Sequence, residues 1–313
     1  MDDHSHFDVV VAGLAVADII GLPIDRKSFP RPGGLKFLDS VTLTTGGNVS
    51  NVGIDLARLG FRTAAITRVG NDSLGRFIAQ HYRAHGVDTE GVIMDANAQT
   101  SATMVCVGPD GERSFLHTRG CMANFRAQDV LDHLPLVKKA KVLAFGYLGL
   151  LPETEKEFGP LFQAVKEKTS VKILLDTGGH PRASLRAMKS FLPLVDYFLP
   201  SYEEASELTG KTGPEEIVRF LRKAGATGII GIKLGNKGAY LADGTTTWSI
   251  KPTRVKNVVD ATGAGDAFVA GFLAATLRGF NAAEAAQKAA AIAASCVTAV
   301  GASTAIKDFE QYP

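Results

Sequence analysis

The stretch that runs from Val171-Lys-Ile-Leu-Leu-Asp176 through Tyr197-Phe-Leu-Pro200 to Ile229-Ile-Gly-Ile-Lys-Leu234 alternates short apolar runs with segments of helical spacing. Runs that are apolar at nearly every position suit strands buried on both faces, not strands with one wet face. The segments between them, 183–191 and 203–224, read as helices, the second divided by Gly210 and Gly213. The same rhythm extends outward. Val142-Leu-Ala-Phe-Gly146 is a buried-strand candidate and 153–168 a helix. Near the N-terminus, Phe7-Asp-Val-Val-Val-Ala-Gly13 reads as a strand closed by glycine. The helix expected over 48–59 carries Val49, Val52, Leu56 and Leu59 and stops at Gly60; a strand over 64–69 and a helix over 74–85, ended by Gly86, follow. Alternating strands and helices with buried strands predict an α/β fold, a doubly wound and mostly parallel sheet with helices on both faces.

Two segments break the rhythm. Residues 22–44 hold Pro23, Pro30, Pro32, Gly33 and Gly34, then an alternating run, and 103–118 read as a hairpin turning at Gly108-Pro-Asp-Gly111. They predict either a small β-flap inserted at about 20–45 and 99–120 or long loops. With no repeat and no low-complexity linker, one domain over 7–313 is preferred to two.

Composition narrows the function. A net charge of +2 over 313 residues, with no basic stripe, gives no argument for nucleic acid or a membrane surface. No apolar run reaches the roughly 18 residues of a membrane helix. Cys106, Cys121 and Cys296 form no CxxC pair and read as unbridged thiols of a reducing compartment. The first residues lack the basic and apolar segments of a signal peptide, so a cytoplasmic location is expected. His4 and His6 read as part of a polar tail, not a metal site.

Near the C-terminus, Asp260-Ala-Thr-Gly-Ala-Gly-Asp266 follows a segment, 255–260, that reads as extended, and feeds a helix with Phe268, Phe272 and Leu273 on one face. A glycine-rich turn entering a helix presents unpartnered N–H groups and the positive end of the helix dipole, which together make an anion site. The dipole is expected to hold Asp266 ionised. Beside a phosphate-sized anion hole, an acid makes chemical sense as the base that deprotonates a hydroxyl attacking that phosphate. As residues alone, Asp266 could equally be a helix cap. The dinucleotide fingerprint fails, because Phe268 stands where its third glycine belongs. P-loop, H-E-x-x-H and G-x-S-x-G motifs are absent.

The run 260–268 resembles the C-terminal signature of the ribokinase-like (PfkB) carbohydrate kinases. Gly46-Gly-Asn-Val-Ser-Asn51 through Leu59-Gly60 is similar to their N-terminal signature, and Arg68-Val-Gly-Asn-Asp72-Ser-Leu-Gly75 to a segment between the two. The resemblance covers nearly the whole chain. It implies a β-lid over the sheet and transfer of phosphate from ATP, with Mg²⁺, to a hydroxyl of a sugar or nucleoside. It places Asp266 as the base and Gly263, Ala264 and Gly265 with it in the anion hole. Asp18, Gly46, Gly47 and Asn51 would bind substrate hydroxyls. Lys233, Gly235 and Gly238 would form the nucleotide-proximal turn. Glu204 would act on Mg²⁺ through water, with Ser201 standing where the family has Asn. Asp260 and residues 300–302 match the site of a K⁺-like ion in outline. Val16 and Asn48 depart from ribokinase itself, which argues against ribose. His117, on the second flap strand, either reaches the substrate or is an ordinary surface histidine. Phe37, Phe115 and Tyr147 are the aromatics that a stacked nucleoside base could use. Lid-to-lid homodimers occur among relatives. The alternatives are a nucleoside kinase and a non-catalytic sugar-binding protein on the same scaffold.

Overall fold

The computed structural model describes residues 7–312, so His4 and His6 lie outside it. Its frame is one nine-stranded sheet. In chain order the strands of both sheets are β1 (Val9–Gly13), β2 (Val16–Leu22), β3 (Ser40–Gly46), β4 (Thr63–Gly70), β5 (Val87–Asp95), β6 (Ala102–Val107), β7 (Arg113–Thr118), β8 (Val142–Leu148), β9 (Lys172–Thr177), β10 (Tyr197–Phe198), β11 (Ile229–Lys233), β12 (Ala239–Asp243) and β13 (Thr246–Ile250). The large sheet runs β13-β12-β11-β10-β9-β8-β1-β4-β5. All its pairings are parallel except those of β12 and β13, an antiparallel edge.

β1 explains why the apolar runs were continuous. Val10 and Ala12 enter the core on one face of the sheet, Val9 and Val11 the core on the other. Helices cover both faces, as the period-2 exposure of a central strand demands. From β1 the sheet grows one way through β4 and β5 and the other way through β8 and β9. The crevice beyond the carboxyl ends of β1 and β8 is therefore the switch point where ligands of doubly wound sheets bind.

The inserted flap is a second, four-stranded sheet in the order β3-β2-β6-β7. Its register sorts side chains by chemistry. Thr44, Asp18, Thr103 and His117 oppose one another in one row, and Leu43, Ile19, Met104 and Leu116 in the next. Successive residues of a strand point to opposite faces, so the two rows lie on opposite sides of the lid.

Some expectations are corrected. The lid sheet begins at Val16, not at about 20, so Asp18 is a lid-strand residue and not part of a loop. Residues 255–260 form no strand. The helix over 153–168 is two, Pro152–Glu155 and Phe158–Lys168. The helix Ala282–Cys296, packed on Ala264–Leu277, was not singled out.

Candidate active site

The two glycine motifs, distant in sequence, meet here. The helix Asn48–Arg58 begins at Gly47, the helix Ala264–Leu277 at Gly263. Gly263 has φ +78° and lies so close to Ala302 that a Cβ would overlap it. Only glycine takes this left-handed conformation without strain. Gly46 serves another need: a Cβ there would overlap the Asp18 carboxylate.

Asp266 lies in the first turn of its helix and is 6% exposed. Its Oδ2 accepts hydrogen bonds from Asn51 Nδ2 at 2.8 Å and Tyr147 OH at 2.7 Å; the same phenol lies 2.8 Å from Oδ1. Burial pushes the Asp266 carboxyl above its ordinary value, and the contacts from Asn51 and Tyr147 restrain the rise. Desolvation, the largest influence, acts against the helix dipole.

Fewer amides of the glycine turn are free than expected. Ala264 N–H donates to Ala261 O at 3.3 Å inside the turn. The amides of Gly265 and Asp266 have no backbone partner among the described residues. Gly265 faces Lys233, whose Nζ would lie 3.6 Å from a Cβ at that position. Lys233 ends β11 and donates to Asp176 at 2.8 and 2.7 Å. Burial pushes Asp176 up to about 7, with Lys233 holding it back.

Lys233, Gly235, Glu204, Gly265 and Asp266 line one cavity of about 370 Å³, together with Tyr147, Asp176 and Thr177. Gly238 is not in that wall; its backbone abuts Ile250 O and shapes the turn from behind. Glu204 Oε2 accepts from Thr177 Oγ1 at 2.6 Å and Ser201 Oγ at 2.7 Å. Ser201 thus caps the helix Tyr202–Thr209 in a reciprocal capping box. A larger cavity of about 540 Å³, lined by Lys138, Lys172 and Tyr197, opens near the start of β8 and β9, away from the glycine motifs.

On the lid, Asp18 is pushed up to about 6 by burial, against the pull of Thr103 and Arg113. Thr103 Oγ1 is 3.0 Å from His117 Nδ1, so His117 backs the row that contains Asp18. Asn48 is structural: its side chain ties Leu14 N and Ala12 O at the end of β1.

Asp260 does not stand ready for an ion. Its Oδ2 accepts from Arg113 Nη2 at 2.8 Å and Gly301 N at 2.9 Å, and its Oδ1 from Thr262 N at 3.0 Å. Arg113 also meets the Thr262 hydroxyl. Burial opposes ionisation of Asp260, yet these donors pull it down to about 2. A guanidinium from the lid already supplies the charge that a monovalent cation would bring, so the expected K⁺-like ion does not fit this arrangement.

Sequence reading missed Asp176, Thr177 and Arg113 as site residues, and named Tyr147 only as an aromatic for stacking, not as a partner of Asp266. Tyr147, Asp176 and Thr177 sit at the carboxyl ends of β8 and β9, and that position was the available signal. Arg113 carried none, because only the folded lid brings it to the turn.

Residues 7–308 match the pfkB family of carbohydrate kinases. The chain is 31% identical to a 2-dehydro-3-deoxygluconokinase of Bacillus subtilis (strain 168), over 86% of this chain and 85% of that one. It is 31% identical to an aminoimidazole riboside kinase of Salmonella typhimurium, over 83% and 84%. Among solved structures it resembles Arabidopsis thaliana ribokinase complexed with ribose and ATP, with a TM-score of 0.84, 28% identity, and coverage of 97% of this chain and 96% of that one. The chain belongs to the pfkB family and is a carbohydrate kinase with the ribokinase-like fold. Among the described residues no helix is long and apolar enough to cross a membrane.

Proposed function

We propose that this pfkB-family kinase transfers the γ-phosphate of ATP to a hydroxyl of a free sugar, with Asp266 as the base. The observation that carries the reading is the 2.8 Å hydrogen bond between Asn51 and Asp266, residues 215 positions apart and each in its own glycine motif. It sets the Asn51 amide beside the Asp266 carboxylate at a helix N-terminus, which supports reading the amide as a hydroxyl binder next to a base.

The chemistry follows from position. The sugar sits under the polar lid row, with Asp18, Gly46, Gly47 and Asn51 fixing its hydroxyls. One hydroxyl points at Asp266. Its oxygen forms the new bond to phosphorus as the bond to the ADP oxygen breaks, and its proton passes to Asp266. The amides of Gly265 and Asp266, with Gly263 and Ala264 shaping the turn, stabilise the charge on the transferring group. Lys233, Gly235 and Glu204 line the nucleotide side, with Gly238 supporting their turn. Glu204 suits Mg²⁺ held through water, since its Oε1 accepts no hydrogen bond among the described residues while Oε2 is anchored. The metal would neutralise phosphate charge. Lid closure would exclude water from the reaction.

Asp266→Asn is expected to fold normally and lose roughly 10²–10⁴ in turnover, the usual worth of a general base. The assay is coupled ADP release over neutral sugars, sugar acids, sugar phosphates and nucleosides. Near-normal turnover by the variant refutes the role. A nucleoside acceptor is the second reading, favoured by the similarity to the Salmonella riboside kinase. Of the three candidate stacking aromatics, Phe37 and Phe115 are exposed, and only Tyr147 lines the cavity.

The outer lid row supports a homodimer through the lid. Leu43, Met104 and Leu116 are exposed in one row, and Val41 lies two residues from Leu43 on the same face. An apolar face of this kind, with the polar row beneath it, suits a second copy of the same sheet. A monomeric mass by light scattering would remove that reading.

A further inference from the structure

Tyr147 has no part in the mechanism above, yet it makes the closest contact to its central residue. It follows Gly146 at the end of β8, and its ring packs so tightly against Gly178 that a Cβ there would overlap it. Its hydroxyl lies 2.8 Å from Asp266 Oδ1 and 2.7 Å from Oδ2. Burial, then the charge of Asp266, push the phenol well above its ordinary range, so it stays a donor at any working pH. It also lines the cavity that holds Gly265 and Lys233. A hydroxyl donating to the base beside the anion hole occupies the place that the sugar's reacting hydroxyl must take.

We infer that Tyr147 is a built-in stand-in for the acceptor: without sugar its phenol holds the proton-accepting face of Asp266 and keeps water off it, and the arriving sugar hydroxyl displaces it. This rests on the proposed role of Asp266. A base left open beside bound ATP would activate water as readily as a sugar. A phenol in its place is held by two short contacts and is a poor match for an incoming phosphoryl group, because its ring is anchored by Gly178. The sugar, with several hydroxyls fixed by Asp18 and Asn51, can outcompete a single hydrogen-bonded hydroxyl where water cannot.

The test uses ATP and Mg²⁺ alone, with no sugar, and measures ADP release by the full chain. Tyr147→Phe is expected to raise this release at least about tenfold, the equivalent of one hydrogen bond to a charged group. Its acid limb is expected to lie at higher pH than that of the parent. Removing a donor to the ionised carboxylate lets burial push Asp266 further up. Combining it with Asp266→Asn is expected to abolish the gain. Tyr147→Ser, whose hydroxyl is too short to reach Asp266, is expected to behave as Tyr147→Phe does and covers the case in which one variant does not fold. Unchanged sugar-free release in the folded variants overturns the inference, as does a gain that survives Asp266→Asn. If Asp266→Asn alone keeps full activity on sugars, the base assignment itself has failed, which the same plate reports separately.

Discussion

Lys233 and Asp176 form an ion pair that is 11% and 4% exposed at the wall of the cavity beside Asp266, and its removal has a pH signature. Asp176 is pushed up to about 7 from an ordinary 3.8. A carboxyl raised in this way makes folding most favourable below its unfolded value. That stability is lost as pH climbs through the interval up to the folded value, because the folded state then holds a proton that the unfolded state has released. Above about pH 7 the wild-type loss should level off, since Asp176 ionises against Lys233. In Lys233→Met the carboxyl has lost its cation and its folded value rises further, so stability keeps falling. At about 1.4 kcal/mol per pH unit, the gap between wild type and Lys233→Met should widen by about 1 kcal/mol between about pH 6 and about pH 8. Urea unfolding of the ligand-free protein at the two pH values measures it, with Asp176→Asn as the control background. A gap of equal size at both values, or one that still widens with Asn at 176, would refute the reasoning.

Three further outcomes are expected. Asp18→Asn should raise the sugar KM by about 10–100-fold, the worth of hydrogen bonds to a charged group. It should also flatten the weakening of sugar binding that protonation of a carboxyl near 6 imposes on the wild type as pH falls below about 6; KM measured across that range checks both. Gly46→Ala should raise the sugar KM with little loss of folding, because the new Cβ meets the Asp18 carboxylate and not the core; thermal unfolding beside the kinetics separates the two. Arg113→Ala should cost about 1 kcal/mol and speed proteolysis at the hairpin turn, residues 108–111. It should also make activity respond to added K⁺, which the wild type is expected to ignore, as ADP release in potassium against tetramethylammonium salts will report.

What was legible in the sequence follows from how its signals are written. The large sheet showed itself because β1, β8, β9 and β11 are buried on both faces and so carry unbroken apolar runs in their middles; no neighbour is needed to see that. The glycine turn showed itself because a left-handed conformation at Gly263, packed on Ala302, strains any other residue. Asp18 was harder. On β2 it looks like an isolated acid, and its meaning comes from Thr44 and Thr103, which flank it from strands far along the chain. The burial of Asp266 was hidden for the same reason. A helix dipole is visible in a local sequence, but the burial of Asp266, and the Asn51 and Tyr147 contacts that restrain its effect, come from other elements. Arg113 and Asp260 carry the point furthest. Each is an unremarkable charge in its own segment, and only folding the lid onto the turn makes them a pair. That pair also joins the lid to the glycine turn. Arg113 opens β7, the strand whose His117 backs Asp18, while Asp260 holds the turn that presents Gly265 and Asp266. The lid and the glycine turn are therefore linked through the Arg113 guanidinium.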